Sequence, residues 1–225
     1  SRTMAGSIFR FSSLDAVLLG LAVLQAALCG ICLFVPQGAL WWKLLGALAF
    51  GVIVWWNANT ISHNHLHSPL FRSRALNRAF SLFLTLTTGV PQTLWRAQHL
   101  FHHAGEPKGR KLRLGAFGFV ELGLLAGLWL GLFAFARSRF LFGYLPGYAF
   151  AMLLCQLQGY FEHAGQPVAL EPGISYYGRL YNLLWFNDGY HAEHHRHPGT
   201  HWSRLPLRKL PLPGEPAPTV SSLPP

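Results

Sequence analysis

The sequence predicts an all-α integral membrane protein: four transmembrane helices in two hairpins, with a histidine-rich helical cap on one face. Three observations carry that expectation. Of 225 residues, 51% are hydrophobic and only 12% charged, whereas a soluble domain carries about a quarter charged residues. The apolar residues gather into four runs near the ~20 residues that a bilayer-crossing helix needs. All twelve histidines lie between or after those runs, and none lies inside one.

The first run, Leu14 to Val35, is too long for a signal-peptide core. It has no small-residue cleavage site and is read as a retained span. Pro36 to Gly38 makes a tight turn. The second span, Ala39 to Trp56, carries Trp41, Trp42, Trp55 and Trp56 at its two ends as interfacial aromatics. A long polar segment, residues 57–113, follows. Within it Phe80 to Leu94 is apolar but short and broken by Gly89 and Pro91. That stretch is expected to be a helix that lies at the membrane interface or dips into it rather than crossing. Leu114 to Phe135 is the third span, Ala136 to Arg139 a tight turn, and Phe140 to Tyr160 the fourth span. The polar remainder ends in a Pro-rich tail from Pro211, expected to be poorly ordered. The organisation is therefore a single domain over 1–210 with a tail over 211–225.

Two tight turns return each helix pair to its starting side. The N-terminus, the 57–113 loop and the C-terminal segment then share one face. The net charge of +10 is carried in loops rather than in a soluble basic patch, which argues against a nucleic-acid partner and for lipid headgroups. Arg72, Arg74, Arg78, Arg96, Lys108, Arg110, Lys111 and Arg113 crowd the loop, against Arg137 and Arg139 opposite and Lys43 just inside the second span. The positive-inside rule puts the loop, and both termini with it, in the cytoplasm. Cys29, Cys32 and Cys155 all lie in apolar runs and read as small buried hydrophobes. The Cys29–Cys32 pair sits mid-span, which argues against zinc or redox chemistry.

The histidines are grouped at helical spacing. His63 and His67 are four apart and share a helix face if the second span continues through them. His99, His102 and His103 form HxxHH, and His191, His194 and His195 repeat it. His163 directly follows the fourth span. Imidazole suits iron and other first-row metals. Eight or nine of these side chains exceed the roughly four to six positions of one ion, so two ions are implied. His65 faces away from His63 on a helix and is read as a non-ligand or a support; His197 and His201 carry no repeat spacing. Ligating histidines usually donate their second N–H to an acceptor. Asp188 and Glu193 are the preferred candidates for that supporting role, with Glu162 beside them. Asn187 and Asn59 offer amides, and capping or turn chemistry serves equally well for either. Glu121 stands inside the third span, about two turns from its cytoplasmic end, where a carboxylate is a functional suspect.

His63-x3-His67, His99-x2-His102-His103 and His191-x2-His194-His195, interleaved with two apolar hairpins, resemble the membrane fatty acid desaturase and hydroxylase superfamily. The third group reads Asn187-Asp-Gly-Tyr-His-Ala-Glu-His-His195, followed by Pro198 and Trp202-Ser-Arg-Leu-Pro206. It is similar to the small bacterial members and to the end of the small carotenoid ketolases. The resemblance covers roughly residues 40 to 206. It implies a non-haem di-iron centre holding two Fe ions, O2 as co-substrate, and an external electron donor such as a ferredoxin, cytochrome b5 or a reductase. It implies His63, His67, His99, His102, His103, His191, His194 and His195 as metal ligands, with His163 matching the isolated histidine between the second and third groups. A bacterial inner membrane and a lipid acyl chain or other long apolar substrate follow from the same resemblance.

Attack on an unactivated C–H bond needs a metal cofactor, since no side chain supplies such an oxidant. Loss of two hydrogens makes a double bond, and insertion of oxygen makes an alcohol. The first reading is thus a fatty acid or acyl-lipid desaturase; the alternative is a lipid hydroxylase or carotenoid ketolase or hydroxylase with the same irons. A metal transporter or haem protein is a third reading from another class. It would place histidines or polar groups at mid-bilayer, and these spans hold no histidine. Leu82, Phe83 and Leu86 are candidates to line an apolar substrate slot.

Overall fold

The computed structural model describes residues 7–35, 38–104, 114–164 and 173–210. Pro36, the basic residues Lys108, Arg110, Lys111 and Arg113, and the tail from Pro211 lie outside the described residues. All regular elements among the described residues are helical, and four helices are long and apolar enough to cross a membrane. The chain divides into two compact units, Ser1–Leu157 and Gln158–Pro225.

In the first unit, α1 is Asp15–Phe34 and α2 is Leu40–Asn57, within two residues of the expected spans. Their outward sides expose Val23, Leu24, Ile31, Leu45 and Leu48, as lipid-facing helices do. The second span does not end at Trp56. It runs on through a π-helical turn, Ala58–Ser62, into α3, His63–His67, so that one helical rod carries the first histidine group. A π turn leaves carbonyls without their usual α-helical partners. Here the Asn59 amide donates to the Trp55 carbonyl and the Thr60 hydroxyl to that of Trp56. The turn is anchored to α1 by a buried polar chain. Ser62 Oγ donates to Asn57 Oδ1 at 2.7 Å, and Asn57 Nδ2 donates to Gln25 Oε1 at 2.8 Å. Between membrane helices such bonds are worth about 0.6–2 kcal/mol each.

After α3 the chain turns through Ser68 to Ser73, where Phe71 bridges back to Phe9. Helix α4, Arg74–Thr88, begins at Ser73, whose hydroxyl accepts from the Leu76 N–H. The 80–94 stretch is not one helix, which corrects its reading as a single helix. α4 ends at Gly89 (φ 72°), and α5, Gln92–His103, starts after Pro91. Gly89 is required twice: its backbone is left-handed, and a Cβ there would sit 2.6 Å from the Tyr144 hydroxyl.

α6 is Ala116–Phe135. A three-residue α7, Arg137–Arg139, leads through a second π turn, Phe140–Tyr144, into α8, Leu145–His163. Spans two and four cross closely through Ala47-x3-Gly51 on one and Gly147-x3-Ala151 on the other. Ala47 and Ala151 are buried, and a Cβ on Gly147 would lie 2.5 Å from the Ala47 carbonyl oxygen. Lipid tails are as apolar as side chains, so such backbone proximity, not hydrophobic burial, holds membrane helices together. Phe50, Val54, Phe140, Tyr144 and Cys29 fill the space around the crossing.

The second unit begins in the last turn of α8. It contains α9, Arg179–Leu184, then α10, His191–Arg196, and a 3-10 helix, Trp202–Arg208. The turn between α9 and α10 places Phe186 (φ 50°) and Asn187 (φ 63°) in the left-handed region.

Candidate metal centre

In the first unit α3 and α5 bring four histidines together. Ring nitrogens of His63, His67, His99 and His103 all lie within 4.8 Å of one another. His99 is the hub: its Nε2 is 3.1 Å from His63 Nε2 and 2.9 Å from His103 Nε2. One proton bridges one nitrogen pair, whereas His99 Nε2 has two Nε2 neighbours at about 3 Å, as donors that share a cation do. Nitrogens bound to a metal at about 2.1 Å stand about 3 Å apart in an octahedral arrangement, so the donor set fits. Burial first, and then His63, His67, His103 and His102, hold the His99 imidazole far below its usual range. It is therefore neutral and ready to ligate. His102 is exposed on the same helical turn, its ring centroid 6.0 Å from His99 and 5.9 Å from His103.

In the second unit the end of α8 and α10 do the same. His191 Nε2 is 3.1 Å from His163 Nε2. His195 joins them, with ring centroids 4.6 Å from His191 and 5.0 Å from His163. His194 lies on the same turn of α10, 6.4 Å from His191. Behind His191 its Nδ1 faces Glu162 Oε2 at 3.8 Å. Gln158 ties that carboxylate to a second one: its amide donates to Glu162 Oε1 at 2.8 Å and to Asp188 Oδ2 at 3.0 Å. Burial, then the Asp188 and Glu162 charges, push the nearby Tyr181 phenol above its ordinary range.

A family model, fatty acid desaturase, matches this chain over residues 39–111 and 105–216. The chain belongs to the fatty acid desaturase family. It is thus an integral membrane oxidoreductase of the desaturase and hydroxylase type, in a family that is typically iron-dependent. No curated protein and no solved structure matched it.

Within this member of the family the candidate supporting residues sit differently. Asp188 and Glu162 stand behind His191, but Glu193 turns elsewhere. Fully buried, Glu193 accepts from Ser175 Oγ at 2.5 Å, Tyr177 Oη at 2.6 Å and the Leu210 N–H at 2.8 Å. It fastens α10 to the segments on either side. Asn187 serves its turn, donating to the Trp202 carbonyl at 3.0 Å. His65 is buried, with Nε2 3.3 Å from Ser81 Oγ, and packs on Phe80. His201 caps the 3-10 helix by accepting from the Ser203 N–H. Gln158 escaped the sequence reading. Its only signal was its place one turn before Glu162 on the same helix.

Proposed function

We propose that the protein is a di-iron, O2-dependent desaturase acting on a lipid acyl chain. The observation that carries this reading is the pair of imidazole clusters, each with Nε2 atoms about 3 Å apart. His63, His67, His99 and His103 would hold one iron, and His163, His191 and His195 the other. His102 and His194 complete the set from the same helical turns. When bound, the irons supply the oxidising power toward an unactivated C–H bond that side chains lack. The chain's own part is to hold the donors. Glu162, steadied by Gln158 and Asp188, keeps the His191 ring turned so that Nε2 is presented.

The acyl chain would run along the half-buried Leu82, Phe83 and Leu86 of α4. Replacing Leu82 and Leu86 by Trp is expected to move the site of modification or to cut the rate by about tenfold or more, as misplacement of substrate does. Unchanged product position and rate in a lipid profile would put the slot elsewhere. Arg72, Arg74, Arg78 and Arg96, which lie between the first histidine group and the second, support a cytoplasmic cap by the positive-inside rule. A bacterial inner membrane and a small external electron donor complete the proposal.

Metal analysis and lipid mass spectrometry test it together. The purified protein is expected to carry about two irons per chain, in line with its donor count, and no haem absorption. Cells expressing it are expected to gain a lipid two hydrogens lighter than its parent. A product heavier by one oxygen would assign the same centre to hydroxylation, and one that has gained an oxygen and lost two hydrogens would assign it to ketolation. Full activity after iron is stripped would end the reading.

A further inference from the structure

Glu121 lies within the third span and is completely buried. Its Oε2 accepts the Thr93 N–H at 2.8 Å. Thr93 is the second residue of α5, and the first backbone N–H groups of a helix have no partner inside it. Pro91, at the cap position, provides no side-chain hydrogen bond. The carboxylate therefore reaches across from α6 to satisfy a donor that α5 cannot satisfy itself, at the end where a helix dipole favours negative charge.

The same helix is held again one turn later. Arg96 Nε donates to the Leu66 carbonyl at 2.9 Å, next to His67. Gln92, Arg96, His99 and His103 recur at helical spacing and share a face. Gln92 is itself fixed at the corner after α4: its N–H donates to Thr85 Oγ1 and its amide to Thr88 Oγ1. Fixing the start of α5 fixes both the axial position and the rotation of His99, whose Nε2 must fall about 3 Å from that of His63.

We propose that Glu121 is a positioning residue: from inside the third span it caps α5 and sets His99 and His103 against His63 and His67. The proposal rests on the metal-site reading above. A carboxylate in a membrane span is costly unless a specific contact compensates it, and here the contact is the helix that bears the second histidine group.

Cobalt(II) titration of the full-length protein in detergent, followed by its visible ligand-field bands, tests this. Glu121→Leu is expected to weaken cobalt binding by about 10–100-fold, the range for residues that support ligands, and to alter the bands. Glu121→Gln keeps an acceptor oxygen and is expected to bind within a few-fold of the wild type. Equal affinity and spectra for Glu121→Leu and wild type overturn the proposal, as does a Glu121→Gln loss as large as that of Glu121→Leu. A wild type that binds no cobalt overturns the metal-site reading, and this proposal with it.

Should Glu121→Leu not fold, residue-resolved amide exchange on the wild type decides. Thr93 is expected to be protected above Leu94, the next residue of the same first turn, without metal. Exchange of Thr93 as fast as that of Leu94 overturns the cap.

Discussion

His99→Ala is expected to empty the first cluster and abolish product formation. Its ring centroid lies 4.7 Å from His63, 4.8 Å from His67 and 4.6 Å from His103, so its loss takes a ring contact from all three. Removing it leaves His103 without the nitrogen that its Nε2 meets at 2.9 Å. Iron content should fall from about two to about one per chain, and turnover should drop by more than the ~100-fold typical of losing a supporting residue. Elemental analysis and a lipid profile of expressing cells read both. His65→Ala is the matched control. That ring is buried against Phe80 and meets Ser81, so its loss should lower the unfolding temperature while the iron remains. A His99→Ala protein that keeps both irons and its activity would remove α5 from the centre.

Gly147→Leu should prevent spans two and four from docking. A Cβ at 147 would stand 2.5 Å from the Ala47 carbonyl oxygen and 2.7 Å from the Phe50 ring. The first of these neighbours is backbone, which cannot rotate away. Overpacking in a tight core costs about 1–3 kcal/mol even when side chains yield, so Gly147→Ala should already destabilise by about that much. Leu adds a branched group to a crossing with no room for its first carbon. Folded yield after detergent extraction and the thermal unfolding midpoint measure the effect. A Leu variant as stable as the wild type would mean that the two helices do not cross at Gly147.

Much of this was legible in the residues. The expected spans agree with α1 and α6 to within two residues at each end, because a run of that length and apolarity has no other way to bond its backbone in lipid. The condition for His63 and His67 to share a face, a second span that continues as helix through His67, is met. The 80–94 stretch was harder. Its composition looked like one helix, but Gly89 and Pro91 turn it into a corner between two helices. There the weaker signal, backbone chemistry, outweighed the stronger apolar one. The carboxylates were least legible. Asp188 and Glu193 stood as equals in the sequence, yet one lies beside Glu162 near His191 while the other binds Ser175, Tyr177 and the Leu210 backbone.

The residues alone determined where helices form and which histidines can share a face. Both follow from interactions among neighbours within a few turns: backbone groups must bond internally in an apolar medium, and side chains four apart must line up. The tertiary structure alone decided what each buried acid does. The Thr93 N–H and Glu121 are separated by 28 residues, and nothing in either local sequence names the other. A carboxylate takes whichever donor the packed helices bring within about 3 Å, and only the packing of α5 against α6 brings that one.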